Sequence, residues 1–306
     1  SCTHRGTPEP GSPTVASPQR ASRVLGCLLG GALGDALGAP VEFWSGQRIA
    51  RDCAQGAFTE QFLPTHYGTE LGLVTDDTQM TLFTLEALLR CREDPTLAPL
   101  RELHTSYVRW WDTQRLASPP DGATGLAGEQ WLYAQRAPGT TCSSALASTL
   151  AGGRLGEPAT NDSKGCGGVM RAAPFGLVGL EDPGDLASRA AGLTHGHAVG
   201  QVSAGAFAVI IDRIMGGESL QDSVDRAITW SETAWDGGET AAALRAAVGL
   251  ASSGTSASQE SVESLGEAWV AEEALAISVY CALAFSHPAR FAEALELAVL
   301  HGGDSD

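Results

Sequence analysis

Thr75-Asp76-Asp77-Thr78-Gln79-Met80-Thr81-Leu82-Phe83-Thr84-Leu85-Glu86-Ala87-Leu88-Leu89 is the stretch from which the rest of this chain is read. Leu82, Leu85 and Leu89 fall on one helical face, and Met80, Phe83 and Ala87 on the neighbouring one. A helix that is apolar nearly all round packs inside a larger helical assembly. Its first turn, with two adjacent carboxylates, is then internal as well. Burying an unpaired ion costs on the order of several kcal/mol. Two arrangements relieve that cost. A hard cation such as Mg²⁺ or Ca²⁺ takes carboxylate and water oxygens. The free N–H groups and dipole of a helix start also favour Thr or Asp at the cap and acids in the first turn. The stretch alone leaves both open.

The 306 residues, 43% hydrophobic and 18% charged, are enough for a sizeable core, as one large domain or two ordinary ones. The formal net charge of −17 repels phosphate backbones, which argues against a sequence-independent nucleic-acid grip and against an anionic membrane surface. No run of 18 or more apolar residues suggests a membrane span. Residues 1–20 lack the apolar centre of a signal peptide and, being rich in Pro, Ser and Thr, read as a flexible tail. The seven cysteines are scattered, with no zinc-type CxxC pair, and read as reduced thiols of a cytoplasmic protein.

Helical patterning begins at Ser22, where Gly26, Gly30, Gly34 and Gly38 recur every four residues. Each Gly costs roughly 1 kcal/mol against Ala inside a helix, so four on one stripe imply close approach of a second helix or a ligand. Asp35 lies within this helix, Pro40 marks its end, and Glu42 follows in a turn. Residues 45–74 read as irregular. Leu103, Tyr107, Trp110 and Trp111, at helical spacing within 98–116, read as core. A loop over 117–141 and a short helix over 142–151 follow.

Gly165, Cys166, Gly167 and Gly168 then lead into an expected helix over 169–178, despite Pro174. Such a loop leaves backbone N–H groups free at a helix start, a geometry that cradles phosphate. The spacing is not that of a P-loop, so triphosphate hydrolysis is not indicated, and ordinary turn chemistry accounts for many such loops. Asp182-Pro183 opens a helix that runs to Thr194-His195-Gly196-His197. Two histidines two apart do not share a helical face and do not suit a zinc pair. Further helices are expected over 200–216, 219–234 and 239–251, then a Ser-rich loop, a helix after Trp269, and a last helix from Pro288 that ends at His301-Gly302-Gly303. That exit delivers Asp304 and Asp306 into a loop. With no strand alternation and no internal repeat, the class is all-α and one domain.

Two Asp pairs therefore stand at helix ends at opposite extremes of the sequence, an arrangement that suggests a dinuclear Mg²⁺ or Mn²⁺ centre. In order, Gly30 to Gly38, Thr75 to Thr78, Ser163 to Arg171, Thr194-His195, and Gly302-Gly303-Asp304-Ser305-Asp306 resemble the ADP-ribosylglycohydrolases. The resemblance covers about residues 22–306, and it is the set of Asp motifs in order that carries it. It implies a compact orthogonal helical bundle over 21–306 with two Mg²⁺ ions at the base of an ADP-ribose cleft. By matching position, Thr75, Asp76, Asp77, Asp304 and Asp306 are implied as metal ligands, with Asp77 and Asp304 also central to catalysis. Gly165, Cys166, Gly167, Gly168 and Met170 match the loop that holds the diphosphate and distal ribose. His195 matches the ring beside the ribose or adenine, and Trp269 an aromatic that often flanks adenine. Glu42 matches an acid that some members use as general acid/base or as a metal-gating ligand.

The activity implied is removal of ADP-ribose from an acceptor by metal-assisted attack at C1′ of the distal ribose. The Ser-Lys-Gly-Cys-Gly variant is similar to members acting on ADP-ribosylarginine. An inactive ADP-ribose-binding or structural member, and a hydrolase of a serine or nucleobase linkage, are the alternatives. The expected partner is an ADP-ribosylated protein or small molecule, with the chain a monomer. Members of the family continue past the second Asp with a further Ser or Thr and another helix. The sequence here stops at Asp306, so that C-terminal helix is expected to be missing, with weaker metal binding as a result.

Overall fold

The structure, a computed structural model, describes residues 18–53, 62–68 and 70–306. Among the described residues it is all helical; two isolated β-bridges, Pro64 with Leu71 and Gly165 with Val270, are the only extended pairings. In chain order the α-helices are α1 (Pro18–Gly38), α2 (Gly46–Asp52), α3 (Asp76–Glu93), α4 (Pro99–Arg115), α5 (Thr140–Leu150), α6 (Ala173–Leu177) and α7 (Pro183–Ala191). They continue as α8 (Ala198–Gly216), α9 (Leu220–Thr233), α10 (Gly238–Ser252), α11 (Gln259–Glu263), α12 (Ala271–Ala284) and α13 (Phe291–Val299).

Helix α8 is the spine. It is apolar on nearly every face, long enough to cross a bilayer by length and composition alone, and here packed on by α6, α7, α9, α10 and α12. Its small residues serve two cores. Ala204 and Ala208 join a cluster with Phe83, Tyr107, Trp110, Leu146 and Phe175, while Ala206 and Val209 join another with Val224, Leu244, Leu275 and Tyr280.

Several elements differ from the sequence reading. Helix α1 starts at Pro18, four residues before Ser22; the rest of the expected tail, 1–17, lies outside the described residues. Residues 46–52, expected to be irregular, form α2, started by the Ser45 hydroxyl accepting from Arg48 N–H and held by buried Ile49. The Ser-rich loop contains α11, capped by Ser258. The helix expected over 169–178 is a 3₁₀ turn at Cys166–Gly168 and then the short α6. Pro174 lacks an N–H and is tolerated only in a first helical turn, so the helix begins around it. On α3 the buried face is Met80, Phe83, Thr84, Ala87 and Leu88; Leu82 and Leu85 are half-buried, and Leu89 is exposed. Helix α13 stops at Val299 with Leu300 as its cap, before the expected glycine exit, and exposes Phe291.

The glycine stripe of α1 is where α13 and the last residues of the chain approach. A Cβ on Gly30 or Gly34 would sit 3.8 Å from Phe291 Cζ or 3.4 Å from Leu295 Cδ1, whereas one on Gly38 would sit 1.7 Å from the Ser305 carbonyl oxygen. Among the described residues, a Cβ on Gly26 would meet nothing within 4 Å outside its own helix backbone. A cavity of about 370 Å³ opens between α1, α3, α12 and α13, apolar along Leu28, Leu82, Ile277 and Leu295 and acidic at the end bounded by Asp77 and Asp306.

These approaches assign opposite signs to one substitution. Gly26→Ala should stabilise by up to about 1 kcal/mol through helix propensity. Gly38→Ala should destabilise by about 1–3 kcal/mol, because the methyl has to displace main chain at 305–306. Chemical denaturation of the two variants checks this; equal effects would mean that the chain end does not press on α1.

Candidate active site

The site is assembled around the start of α3. Thr75 caps this helix, its hydroxyl accepting from Asp77 N–H at 3.1 Å. Asp35, buried on α1, then clasps the same turn. Its carboxylate accepts from Thr75 N–H at 2.9 Å, from Thr78 N–H at 3.1 Å and from the Thr78 hydroxyl at 2.5 Å. Asp76 is held from the other side: its Oδ2 accepts from Gly139 N–H at 3.0 Å, and its own N–H donates to Arg136 C=O at 2.9 Å. Residue 136 is positioned by the core. Its N–H donates to Gln114 Oε1, and Gln114 and buried Trp110 both donate to Gln79 Oε1, at 2.8 and 3.0 Å. The Trp cluster read as core thus supports the acid motif directly.

The chain end brings the second Asp pair alongside. Asp304 N–H donates to Glu267 C=O at 2.9 Å, and Cys166 Sγ donates to Asp304 Oδ2 at 2.9 Å. Oxygen atoms of Glu42, Asp304 and Asp306 lie within 4.8 Å of one another. Burial, then the Asp306 charge, raises Asp35 to about 7 and Asp304 to about 8. Burial, then Asp306, Asp304, Asp76 and Asp35, raises Glu42 to about 9. Asp76 and Asp77 are pushed well up by burial as well. Glu42 Oε2 is buried with no hydrogen-bond partner. An all-oxygen donor set, mutual repulsion and an orphaned carboxylate oxygen together fit a hard divalent cation.

Beside the acids lies the glycine loop. Asn161 pins it to the end of α7, its Nδ2 donating to Thr194 C=O at 2.8 Å and its Oδ1 accepting from Ser163 and Gly196 N–H. Gly165 bridges to Val270, and Cys166 N–H donates to Trp269 C=O. Lys164, the cation of the loop, is occupied: its ammonium pairs with Glu239 and Glu272, which hold it above its usual value. His195 is buried beneath the loop, and desolvation, then the Arg171 charge, lowers it to about 3, so it is neutral. Gly165 and Gly167 lie against its ring, whereas Gly168 is buried against Ala191. Met170 lines the apolar cavity. Trp269 stacks on Phe43 at 5.2 Å between ring centroids.

The structure therefore gathers Glu42, Thr75, Asp76, Asp77, Asp304 and Asp306 into one acid cluster, with residues 165–167 and His195 next to it and Trp269 at its rim. The sequence reading gave no role to Asp35, Phe43 or Arg171. Asp35 carried a signal, an acid inside a small-residue stripe. Phe43 carried none, since its backbone φ of 68°, like the 64° of Ala268, emerges only on folding. A non-glycine residue in that region costs on the order of 1–3 kcal/mol, and here two such positions bring the Phe43 and Trp269 rings together.

An all-helical bundle with a buried oxygen-donor centre beside a glycine loop is the class these observations define. Residues 16–306 match the family described as ADP-ribosylglycohydrolase, and the chain belongs to that family. The ADP-ribosyl-[dinitrogen reductase] glycohydrolase of Rhodospirillum rubrum is 26% identical over 210 residues, 68% of this chain. The matched region spans 63% of that relative's length. A solved structure titled as an ADP-ribosylglycohydrolase-related protein complex is similar with a TM-score of 0.59, at 23% identity, covering 94% of this chain and 83% of that one. At that identity it supports the fold.

The raised carboxyl groups set a pH dependence. An acid whose value is raised on folding contributes most favourably below its unfolded value of about 4, and the contribution is lost as pH rises through the folded value. With Asp35, Asp304 and Glu42 at about 7, 8 and 9, that loss falls between mildly acidic and alkaline pH. In chelator, the melting temperature should fall from pH 6 to pH 9, and Mg²⁺ should restore it most at the alkaline end. A metal-free protein that gains stability over this range would mean that the carboxylates are not crowded together.

Proposed function

We propose that this protein is a Mg²⁺-dependent hydrolase that removes ADP-ribose from an ADP-ribosylated acceptor, with arginine on protein as the preferred linkage. The observation that carries the reading is the cluster of carboxylates from the turn after α1, the start of α3 and the chain end, next to the loop at 165–168. Thr75, Asp76, Asp77, Asp304 and Asp306 would hold two divalent cations, Mg²⁺ or Mn²⁺. Bound there, the cations supply Lewis-acid polarisation of oxygen ligands.

The chain's own groups account for the remaining chemistry. The loop N–H groups and His195 bind the diphosphate and orient the distal ribose over the acids. The C1′–N bond then breaks, water adds at C1′, and the leaving guanidine departs protonated. Glu42, at the rim of the cluster and pushed up by burial and its acidic neighbours, is placed to pass a proton to the leaving group and to take one from water. As positive charge grows on the ribose, the carboxylates around it stabilise that charge. One feature favours a guanidinium acceptor: Phe43 is 64% exposed beside Glu42, and an exposed aromatic face attracts a planar cation. The Rhodospirillum relative is named for a protein acceptor, dinitrogen reductase, which supports a protein rather than a small-molecule substrate.

Asp77→Asn and Asp304→Asn should abolish hydrolysis of ADP-ribosylarginine with the fold retained; full turnover after exhaustive chelation would exclude the metal-dependent reading. ADP-ribose should raise the melting temperature by mass action more than AMP does, because AMP lacks the distal ribose. Equal shifts from the two would remove the ribose from the acid cluster. Glu42→Gln should slow turnover at least about 100-fold, in the range of a general acid–base group, while ADP-ribose affinity stays near that of the wild type. Wild-type rates in that variant would take the proton-transfer role away from Glu42.

A further inference from the structure

Arg171 is fully buried, and among the described residues no carboxylate pairs with it. Its Nη1 reaches only two sulfur atoms, Met80 Sδ at 3.5 Å and Cys142 Sγ at 3.4 Å, its plane lies over the Tyr107 ring at 4.3 Å, and its Nε has no partner. Its shortest hydrogen bond is from Nη2 to the Thr194 hydroxyl, at 2.6 Å. An uncompensated buried guanidinium is costly unless its field is used. The group next in line is His195, whose Nδ1 lies 2.8 Å from the same hydroxyl.

Donor chemistry decides the direction of this chain. A guanidinium only donates, so Thr194 Oγ1 accepts from it and has one proton left to place. The Ala191 carbonyl is 3.4 Å away and the Cys142 thiol is a weak acceptor, whereas the imidazole Nδ1 at 2.8 Å is short and basic. A proton on Nδ1 would also point its positive end towards the guanidinium. Nδ1 is therefore the acceptor, and the ring proton sits on Nε2. Nε2 makes no hydrogen bond to a described residue. It faces the backbone of the loop, 3.5 and 3.1 Å from where side chains on Gly165 and Gly167 would begin.

We infer that Arg171 and Thr194 are positioning residues that hold His195 as its Nε2–H tautomer and aim a neutral donor, backed by a buried cation, at an anionic ligand on the glycine loop. The nature of that ligand, the diphosphate of an ADP-ribosyl group, rests on the function proposed above. This relay answers how a chain of net charge −17 attracts a diphosphate when Lys164, the cation of its loop, is already taken by Glu239 and Glu272. It also assigns a use to the buried Arg171, which touches no acid of the cluster.

The test uses Thr194, because removing the guanidinium would disturb the core. Thr194→Val keeps the shape and removes the hydroxyl; Thr194→Ser returns it. Long-range ¹H–¹⁵N correlation on the labelled, Mg²⁺-loaded protein reads the tautomer, with the His195 signals identified by their absence in His195→Gln. The wild type and Thr194→Ser should carry the proton on Nε2, and Thr194→Val should show a mixture. Calorimetry should find ADP-ribose bound at least about 10-fold more weakly by Thr194→Val and near wild type by Thr194→Ser, the range of a hydrogen bond to a charged group. The loss should appear in KM rather than in kcat. A wild-type ring protonated on Nδ1, or a Thr194→Val variant with wild-type tautomer and affinity, overturns the relay. Failure of the wild type to bind ADP-ribose would instead overturn the proposed function, and the tautomer would still decide the relay.

Discussion

The clasp of Asp35 on the first turn of α3 is the interaction on which the site depends. A carboxylate that is almost fully desolvated persists only if its oxygens are satisfied, and here three donors from Thr75 and Thr78 satisfy them. Those donors include two of the N–H groups that every helix leaves free at its start. One side chain on α1 thus completes a helix cap and locks α1 against α3. It also fixes the direction in which Asp76 and Asp77 project. The like charges so gathered oppose folding, and the hydrophobic cores around α8 carry that cost.

The rest of the acid cluster is held by main chain packed without space for side chains. Gly38 touches the Ser305 carbonyl, and a Cβ on Gly303 would sit 2.2 Å from the Glu267 carbonyl oxygen. The Phe43 N–H donates to Gly303 C=O, and the Asp304 N–H to Glu267 C=O. The turn carrying Glu42, the segment before Trp269 and the chain end are therefore one unit. On the opposite side, the Trp110–Gln79–Gln114 network carries the rigidity of α4 to the loop that holds Asp76. Acids from three parts of the sequence share one place because glycine contacts and a buried amide network converge there.

The site has two electrostatic halves. Carboxylates concentrated by the fold make one end selective for cations. The other end presents the glycine loop and a neutral His195, with Arg171 beneath them. On the function proposed above, a substrate with a hydroxyl-rich ribose at one end of a diphosphate would span these halves. The overall acidity of the chain then acts against non-specific binding of polyanions without closing the site to a single diphosphate.

Much of this was legible in the sequence by itself. Local signals set the caps at Thr75 and Asp182, the long helices, the buried Leu103-Tyr107-Trp110 face and the glycine stripe that something had to approach. The two Asp pairs were legible too, because paired carboxylates at a helix start and just past a helix end are informative without knowing their neighbours. The short helices α2 and α11 were not, since a helix of five or seven residues draws its stability from what it packs against. Nor was the buried side of α3, whose apolar residues encircle the helix and leave the choice of face to its neighbours. What only the tertiary structure decided was every pairing across the chain: Asp35 with Thr75 forty residues on, Cys166 with Asp304 across 138, and Arg171 through Thr194 to one nitrogen of His195. Residue type and periodicity report which groups a segment wants to bury. Which charge or donor faces which is settled when distant segments exclude water from the same space.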